Sequence, residues 1–186
     1  MKGAKIKMDN ITLEKLQKND FDQVYSIMEK SFPKAEYRPY EKQYALLDDP
    51  NYNVTVLKDK GKIIAFIAVW KLCGFDFVEH LAVDPDLRGQ MIGSRFMKKH
   101  LASSTNKIVL EVEDNQDEIA IRRIGFYERL GFVLTNAKYI QPTLSGVTDI
   151  IPLRLMCYPN EFDTEYAVKE IFNKIYKKNF PTGEKV

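Results

Sequence analysis

Residues 79–94 constrain the fold more than any other stretch of this chain. They read Glu-His-Leu-Ala-Val-Asp-Pro-Asp-Leu-Arg-Gly-Gln-Met-Ile-Gly-Ser. The stretch opens as an apolar strand, which Pro85 ends because its ring removes a backbone donor. A helix is predicted over 92–104, where apolar side chains recur with helical spacing at Ile92, Phe96, Met97 and Leu101. The sequence therefore predicts a strand, a tight turn and a helix.

The turn carries Arg88, Gly89 and Gly93. Glycines let a backbone approach a ligand closely, and the first amides of a helix have no internal partner and lie at the positive end of its dipole. Such a turn can hold phosphate, although glycines there often serve only the turn. The pattern is neither GxGxxG nor GxxxxGK[ST], which argues against a Rossmann enzyme or a nucleotide hydrolase.

Two motifs resemble those of a known family. Arg88, Met91 and Gly93, preceded by Val-Asp-Pro at 83–85, are similar to the acetyl-coenzyme A signature of the GNAT superfamily of N-acetyltransferases. Downstream, Phe-Tyr-Glu-Arg-Leu-Gly-Phe at 126–132 resembles the Tyr-Glu-x-Leu-Gly-Phe segment of that family. Two positions depart from the family pattern, because Met91 replaces its middle glycine and Ala120 stands where an asparagine is common.

The resemblance implies an α/β (α+β) fold of the GNAT type. Its sheet is mixed, twisted and mostly antiparallel, with about six to seven strands, helices on both faces and a further C-terminal helix. The implied co-substrate is acetyl-CoA, with no metal, its pantetheine beside the strand and its pyrophosphate on the turn. The residues expected to bind it are Leu81, Ala82, Val83, Arg88, Gly89, Gln90, Met91, Ile92, Gly93 and Ser94.

Acetyl transfer to an amine requires a neutral amine and a stabilised leaving thiolate. Strand alternation places Glu79 on one face with Phe77 and Leu81, so we expect a raised pKa and a role as general base. His80 is then expected to face the other way. The resemblance makes Tyr127 the general acid for the coenzyme sulfur, since a phenol is protonated at pH 7. The structural alternatives are an ion pair for Glu79 and helix packing for Tyr127.

The amine acceptor is not identified by the sequence, and a small molecule or a peptide amine is equally compatible with it. Candidate acceptor contacts are the 141–146 loop and Phe32, Glu36, Tyr37, Arg38 and Tyr40. A non-catalytic acyl-CoA-binding or sensor module is the alternative function, suggested by Met91 and Ala120. An acyl-enzyme cysteine is disfavoured, because neither Cys73 nor Cys157 lies near the motif.

Composition limits the partners and the compartment. A net charge of +2 gives no reason to expect nucleic acid or an anionic membrane as a partner, and no apolar run reaches the length of a membrane span. Both cysteines lie in apolar, strand-like sequence, so we expect buried thiols and a reducing, cytoplasmic location. No apolar segment follows the basic N-terminus, so no signal peptide is predicted.

The chain of 186 residues is predicted to form a single domain over 1–186. An opening strand is expected near 5–11, and Asp20 with Gln23 has the pattern of a capping box for the first helix. An amphipathic helix at 160–178 is expected to pack on the domain, with a homodimer contact as the alternative.

Overall fold

The computed structural model describes residues 11–114, 117–142, 144–145, 151–160 and 162–177. Seven strands form one sheet in the order β1-β2-β3-β4-β5-β7-β6. Every neighbouring pair is antiparallel except β4 and β5, which are parallel. The strands are β1 (Ile11–Lys15), β2 (Tyr52–Asp59), β3 (Lys62–Leu72), β4 (Phe75–Val83), β5 (Lys107–Glu113), β6 (Val133–Gln141) and β7 (Ile151–Tyr158).

Five helices cover the two faces of this sheet. They are α1 (Phe21–Ser31), α2 (Tyr40–Ala45), α3 (Ile92–Ser103), α4 (Glu118–Glu128) and α5 (Thr164–Ile171), the last continued by a π-helical turn, Phe172–Tyr176. Apolar residues of α1 and α5 share one buried cluster, and those of α3 and α4 share another. Strand β3 contributes to both clusters, because it is buried on both faces. The predicted fold class is therefore confirmed.

The parallel pair of β4 and β5 separates part-way along. Their register runs from Phe75 opposite Lys107 to Val78 opposite Leu110 and ends there. Beyond that point β4 stays paired with β3 as far as Val83, while β5 stays paired with β7 as far as Glu113. A cleft therefore opens between the two central strands.

The predicted capping box at the start of α1 does not form. Asp20 occupies the N-cap position, but its side chain makes no capping hydrogen bond. Its carboxylate instead accepts a hydrogen bond from Lys58 Nζ at 2.8 Å, and Gln23 Oε1 accepts one from the amide of Ile63 at 3.0 Å. Both side chains are thus used to attach α1 to the sheet, which a local pattern does not reveal.

The C-terminal helix packs against the α1 face of the sheet through Ala167, Ile171 and Ile175. The single-domain boundaries remain a prediction, because both termini lie outside the described residues, as do residues 5–10 of the predicted opening strand. Cys157 is buried as expected, but Cys73 is exposed, because it lies in the turn between β3 and β4. No helix in the described ranges has the length and apolar character needed to cross a membrane.

Candidate active site

A cavity of about 590 Å³ occupies the cleft where β4 and β5 diverge. Its walls come from both strands, from the ends of α1 and α3, and from α4. The lining residues are Ser31, Phe32, Pro33, Glu36, Val78, Glu79, His80, Leu81, Ala82, Val83, Arg88, Gly93, Leu110, Glu111, Val112, Glu113, Asp117, Ile119, Arg123, Phe126, Tyr127, Gln141 and Leu153. A concave site with a few convergent polar groups is the usual form of a small-ligand site.

One end of the cavity is formed by the predicted turn. Gly89 and Met91 both adopt left-handed backbone angles, with φ of 81° and 57°. The first bond within α3 joins the amide of Arg95 to the carbonyl of Met91 at 3.1 Å. The amides of Ile92, Gly93 and Ser94 therefore precede the hydrogen-bonded ladder of the helix. This is the arrangement in which a helix start holds an anion.

Two side chains set the shape of this end. Arg88 Nη2 donates to Ser31 Oγ at 3.2 Å, so the guanidinium braces the turn against the end of α1 while still lining the cavity. Gly93 packs closely on β4, because a Cβ there would lie 3.4 Å from Val83 Cγ2. Met91 is 64% exposed and does not line the cavity.

The predicted coenzyme residues fall into two groups. Five of them line the cavity, namely Leu81, Ala82, Val83, Arg88 and Gly93. The other five belong to the turn and the first turn of α3 without lining the cavity, namely Gly89, Gln90, Met91, Ile92 and Ser94. Leu81 to Val83 pair with β3 on one side, and β5 no longer covers the other. The backbone groups at that strand edge are available to hydrogen-bond the amides of an extended ligand.

Glu79 does not have the environment that strand alternation predicts. The register of β3 and β4 passes from Ala68 opposite His80 to Val69 opposite Val78, so Glu79 is the extra residue of a β-bulge. The bulge reverses the alternation, and Leu81 consequently packs in the cluster opposite to that of Phe77. The prediction that Glu79 shares one face of the strand with both Phe77 and Leu81 is therefore wrong.

The Glu79 carboxylate forms a buried ion pair. Its Oε1 lies 2.9 Å from Arg38 Nη2, and the two side chains are 1% and 2% exposed. Burial alone would raise the pKa of Glu79, but the Arg38 guanidinium and the adjacent His80 outweigh it and lower the pKa to about 2. The expected raised pKa is therefore wrong in direction. A carboxylate this acidic and this enclosed is a poor proton acceptor.

His80 is buried beside this pair. Its Nε2 lies 2.9 Å from the carbonyl oxygen of Glu36, and its ring meets Phe32 edge-on. Its Nδ1 lies 3.5 Å from Glu79 Oε2, at the outer limit of a hydrogen bond. Its contact with Glu36 holds the polypeptide between α1 and α2 against the cavity.

Glu111 on β5 was missed by the sequence analysis. Tyr176 OH, from the C-terminal helical segment, lies 2.8 and 2.9 Å from its two carboxylate oxygens. Gln141 Nε2 donates to the same phenol oxygen at 2.9 Å. Burial, reinforced by the charges of Glu79 and Glu36, raises the pKa of Glu111 to about 8, although the Tyr176 hydrogen bond opposes the shift. The only local signal was an acidic residue interrupting the apolar run of β5.

Tyr127 is buried on α4, as its place on the apolar face of the predicted helix indicates, and it also lines the cavity. Burial raises the pKa of its phenol to about 12. The ring packs between Phe126 and Phe132, with ring centroids 5.0 and 5.5 Å away. The neighbouring wall carries an ion pair between Arg123 and Glu113. Tyr127 is thus a protonated donor held in place by aromatic contacts.

The segment between α1 and α2 contributes only part of the predicted acceptor wall. Phe32 and Glu36 line the cavity, whereas Arg38 lies behind it as the partner of Glu79. Tyr37 and Tyr40 do not line it. From the predicted loop at 141–146, Gln141 lines the cavity, while residues 143 and 146 lie outside the described part of the chain.

Comparison with known proteins decides the family. A family model described as the acetyltransferase (GNAT) domain matches residues 50–134. A solved structure from Bacteroides thetaiotaomicron, described as "Putative acetyltransferase from GNAT family", is 31% identical, with a TM-score of 0.80 over 89% of this chain and 98% of that one. The chain belongs to the GNAT family of acetyltransferases. It is accordingly an N-acetyltransferase, and the family's co-substrate is acetyl-CoA.

Two further proteins are similar to this chain, one in sequence and one in fold. The "Putative acetyltransferase YjbC" of Bacillus subtilis (strain 168) is 26% identical over 159 residues, 82% of this chain and 79% of that protein. The ribosomal-protein-S18-alanine N-acetyltransferase of Escherichia coli shares the fold, with 24% identity and a TM-score of 0.60 over 82% of this chain and 95% of that one. Its acceptor is a property of that protein and identifies none here.

The cavity fits the family's co-substrate. The start of α3 offers amides to a diphosphate, the β4 edge offers backbone partners to an amide-containing arm, and Tyr127 lines the same cavity. Among the described residues no group of three or more His, Cys, Asp or Glu side chains is arranged for a metal ion.

Proposed function

We propose that this chain transfers the acetyl group of acetyl-CoA directly to a primary amine within a ternary complex. The observation that carries the proposal is the convergence, in one cavity, of an amide-rich helix start, a proton acceptor and a proton donor. The coenzyme binds to the backbone of residues 88–94 and to the free edge of Leu81–Val83. Arg88 holds the turn in shape.

Glu111 takes the role of general base that the sequence analysis gave to Glu79. An alkyl ammonium has a pKa of about 10.4, so an ordinary carboxylate would accept its proton at a cost of roughly 8 kcal/mol. With a carboxyl pKa of about 8, the same transfer costs roughly 3 kcal/mol. The environment of Glu111 therefore suits the chemistry, whereas that of Glu79 makes the transfer harder.

The bond changes are balanced within the cavity. Glu111 takes one proton from the bound ammonium, and the neutral amine nitrogen then attacks the thioester carbonyl carbon. As the carbon–sulfur bond breaks, the nitrogen loses its second proton to the coenzyme thiolate, and Glu111 releases its own proton to solvent. Tyr127 donates a hydrogen bond to the departing sulfur. Its pKa of about 12 exceeds that of a thiol by roughly three units, so the phenol stabilises the thiolate while largely keeping its own proton.

The test is release of free thiol from acetyl-CoA with a panel of primary amines. We expect turnover with at least one amine. Tyr127→Phe is expected to lower kcat about 10- to 100-fold while the calorimetric Kd for acetyl-CoA changes less than about twofold. Tyr158→Phe is the matched control, because Tyr158 packs beside Phe132 outside the cavity.

The non-catalytic sensor is the outcome that would contradict the proposal. It predicts calorimetric binding of acetyl-CoA with no thiol release for any amine tested. If acetyl-CoA does not bind at all, the assignment of the helix start to the coenzyme is wrong as well. If Tyr127→Phe leaves kcat unchanged, Tyr127 has only a packing role.

A further inference from the structure

We infer that Gln141 is a positioning residue of the proposed site, because its amide group orients the Tyr176 hydroxyl so that the phenol donates its only proton to Glu111. The inference rests on the proposed function, since Glu111 is the proposed base. It concerns a residue that acts on the base through another side chain.

Three polar atoms surround the Tyr176 hydroxyl oxygen. The two carboxylate oxygens of Glu111 lie 2.8 and 2.9 Å from it, and Gln141 Nε2 lies 2.9 Å from it. An amide NH2 group can only donate a hydrogen bond, an ionised carboxylate can only accept one, and a phenol can do both. The chain of bonds therefore has one consistent direction, from Gln141 to Tyr176 to Glu111.

The hydroxyl is enclosed, so the direction of its bond cannot be exchanged freely with water. Tyr176 is fully buried, and Gln141 is 6% exposed at the end of β6, where it lines the cavity. Within the described ranges no other side chain bonds to this hydroxyl. Buried polar groups depend on the partners that the protein supplies, so the loss of one partner changes the remaining bonds.

The direction of the bonds favours the ionised form of Glu111. A phenol that donates to the carboxylate stabilises its negative charge. A proton on Glu111 would need an acceptor instead, and the phenol oxygen already accepts the bond from Gln141. Without Gln141 the hydroxyl is free to turn and to accept a bond from the protonated carboxyl group.

The other groups around Glu111 act in the opposite sense. Burial and the charges of Glu79, on β4, and Glu36, between α1 and α2, raise the pKa of Glu111, whereas the Tyr176 hydrogen bond lowers it. On β7 the residue opposite Glu111 is the apolar Leu155. The phenol is therefore the group through which Gln141 can keep the pKa of Glu111 from rising further.

The test follows the Glu111 carboxyl group by carbon-13 NMR of protein labelled at the glutamate carboxyl carbons, with Glu111→Gln identifying its resonance. Gln141→Met keeps about the length of the side chain and removes the donor. We expect the pKa of Glu111 to rise by about half a unit to one unit, the range for one neutral hydrogen bond. Gln141→Glu has the same shape with an acceptor in place of the donor, and it should raise the pKa further. Asn136→Leu is the matched control, because Asn136 is an exposed amide on the same strand and does not line the cavity.

A second background separates positioning from packing. If Gln141 acts through the phenol, Gln141→Met should change the pKa of Glu111 by less than about 0.3 unit once Tyr176→Phe is present. An effect of packing or of solvent access would persist in that background. An unchanged pKa in Gln141→Met, or an equal rise with and without Tyr176→Phe, would overturn the inference.

The NMR titration requires no acceptor, so it distinguishes this inference from the proposed function. If the expected changes in the pKa of Glu111 occur and no amine causes thiol release from acetyl-CoA, the proposed function alone is refuted. With turnover, the rising limb of kcat against pH should move to higher pH in Gln141→Met by the same amount as the pKa of Glu111, while the plateau at high pH is retained.

Discussion

Glu79 and Glu111 are buried carboxylates on adjacent strands, and they differ in the partner that the fold supplies. Glu79, on β4, faces the guanidinium of Arg38, and its pKa is about 2. Glu111, on β5, accepts a hydrogen bond from the neutral phenol of Tyr176 and forms no ion pair with any residue that the structure describes, and its pKa is about 8. The same cleft thus holds one carboxylate that stays ionised at neutral pH and another whose pKa lies close to neutral pH.

The difference shows that burial alone does not determine a carboxylate's role. In both cases burial is the largest single influence and raises the pKa. A full positive charge reverses that effect, whereas a neutral hydrogen-bond donor only reduces it. Glu79 therefore contributes to structure, and Glu111 is available for proton transfer near neutral pH.

The largest expected effect comes from Glu111→Gln. Glutamine keeps the size of the side chain but accepts no proton, so we expect kcat at pH 8 to fall about 10²- to 10⁴-fold. The Kd for acetyl-CoA should change less than about twofold. Glu118→Gln, on the exposed start of α4, is the control. Retention of kcat in Glu111→Gln would end the proposed division of roles.

Glu79→Gln is expected to act on stability. It leaves the Arg38 guanidinium buried without a carboxylate, so urea unfolding should show a loss of about 3–5 kcal/mol. Adding Arg38→Met to that variant should recover part of the loss, because no unpaired charge then remains. If Glu79→Gln keeps its stability and loses activity instead, the base is Glu79, as the sequence analysis had it.

The two carboxylates also predict opposite pH dependences of stability. Because the pKa of Glu111 is higher in the folded than in the unfolded chain, the folded state holds an extra proton, and the free energy of unfolding falls from about pH 4.5 to about pH 8. Because the pKa of Glu79 is lowered, its contribution is lost as pH falls from about 4.5 to about 2.

Subtracting two denaturation series isolates the Glu111 contribution. Relative to the unmodified protein, Glu111→Gln should gain stability between pH 5 and pH 9, on the order of 4 kcal/mol for a shift of this size. A difference that is flat with pH would show that Glu111 titrates normally and that its environment is not the one described.

The fold class could be predicted because the motifs at 79–94 and 126–132 resemble those of a known family, and several elements could be predicted because their signals are local. Pro85 and the glycines mark the turn after β4, and the continuous apolar run of β3 indicates a central strand. Helical spacing likewise placed Tyr127 on the buried face of α4, whereas its proposed place beside the coenzyme sulfur came from the family resemblance.

The sequence near Glu79 and Glu111 could not predict that Glu79 forms a buried ion pair and that Glu111 is the better candidate for the general base. The bulge at Glu79 exists only in its pairing with β3, and its partner Arg38 lies 41 residues away in the chain. Tyr176 is 65 residues from Glu111, on a segment whose sequence gives only an amphipathic pattern. The pKa of each carboxylate depends on these distant contacts, so no reading of neighbouring residues supplies it.

The smallest expected effect tests whether Tyr176 tunes Glu111. The Tyr176 hydrogen bond opposes the rise in the pKa of Glu111, so Tyr176→Phe should raise that pKa further. A bond to a charged group is worth about 1.5–3 kcal/mol, so the rising limb of kcat against pH should move up by about one to two pH units. Activity at pH 7 then falls about 10- to 100-fold while the plateau at high pH is retained.

Tyr166→Phe is the matched control, because Tyr166 lies on the same C-terminal helix and donates to the Cys73 carbonyl, away from the cavity. A uniform loss at every pH would mean that Tyr176→Phe disturbs the packing of the helix. A shift of the rising limb of kcat to lower pH would contradict the prediction, because removing a hydrogen-bond donor to a carboxylate should raise the pKa of that carboxyl group. If the rising limb of kcat against pH moves to higher pH in Tyr176→Phe and not in Tyr166→Phe, a neutral hydrogen-bond donor changes the pKa of Glu111 by one or two units. The charge of Arg38, by contrast, keeps the pKa of Glu79 too low for Glu79 to act as a base near neutral pH.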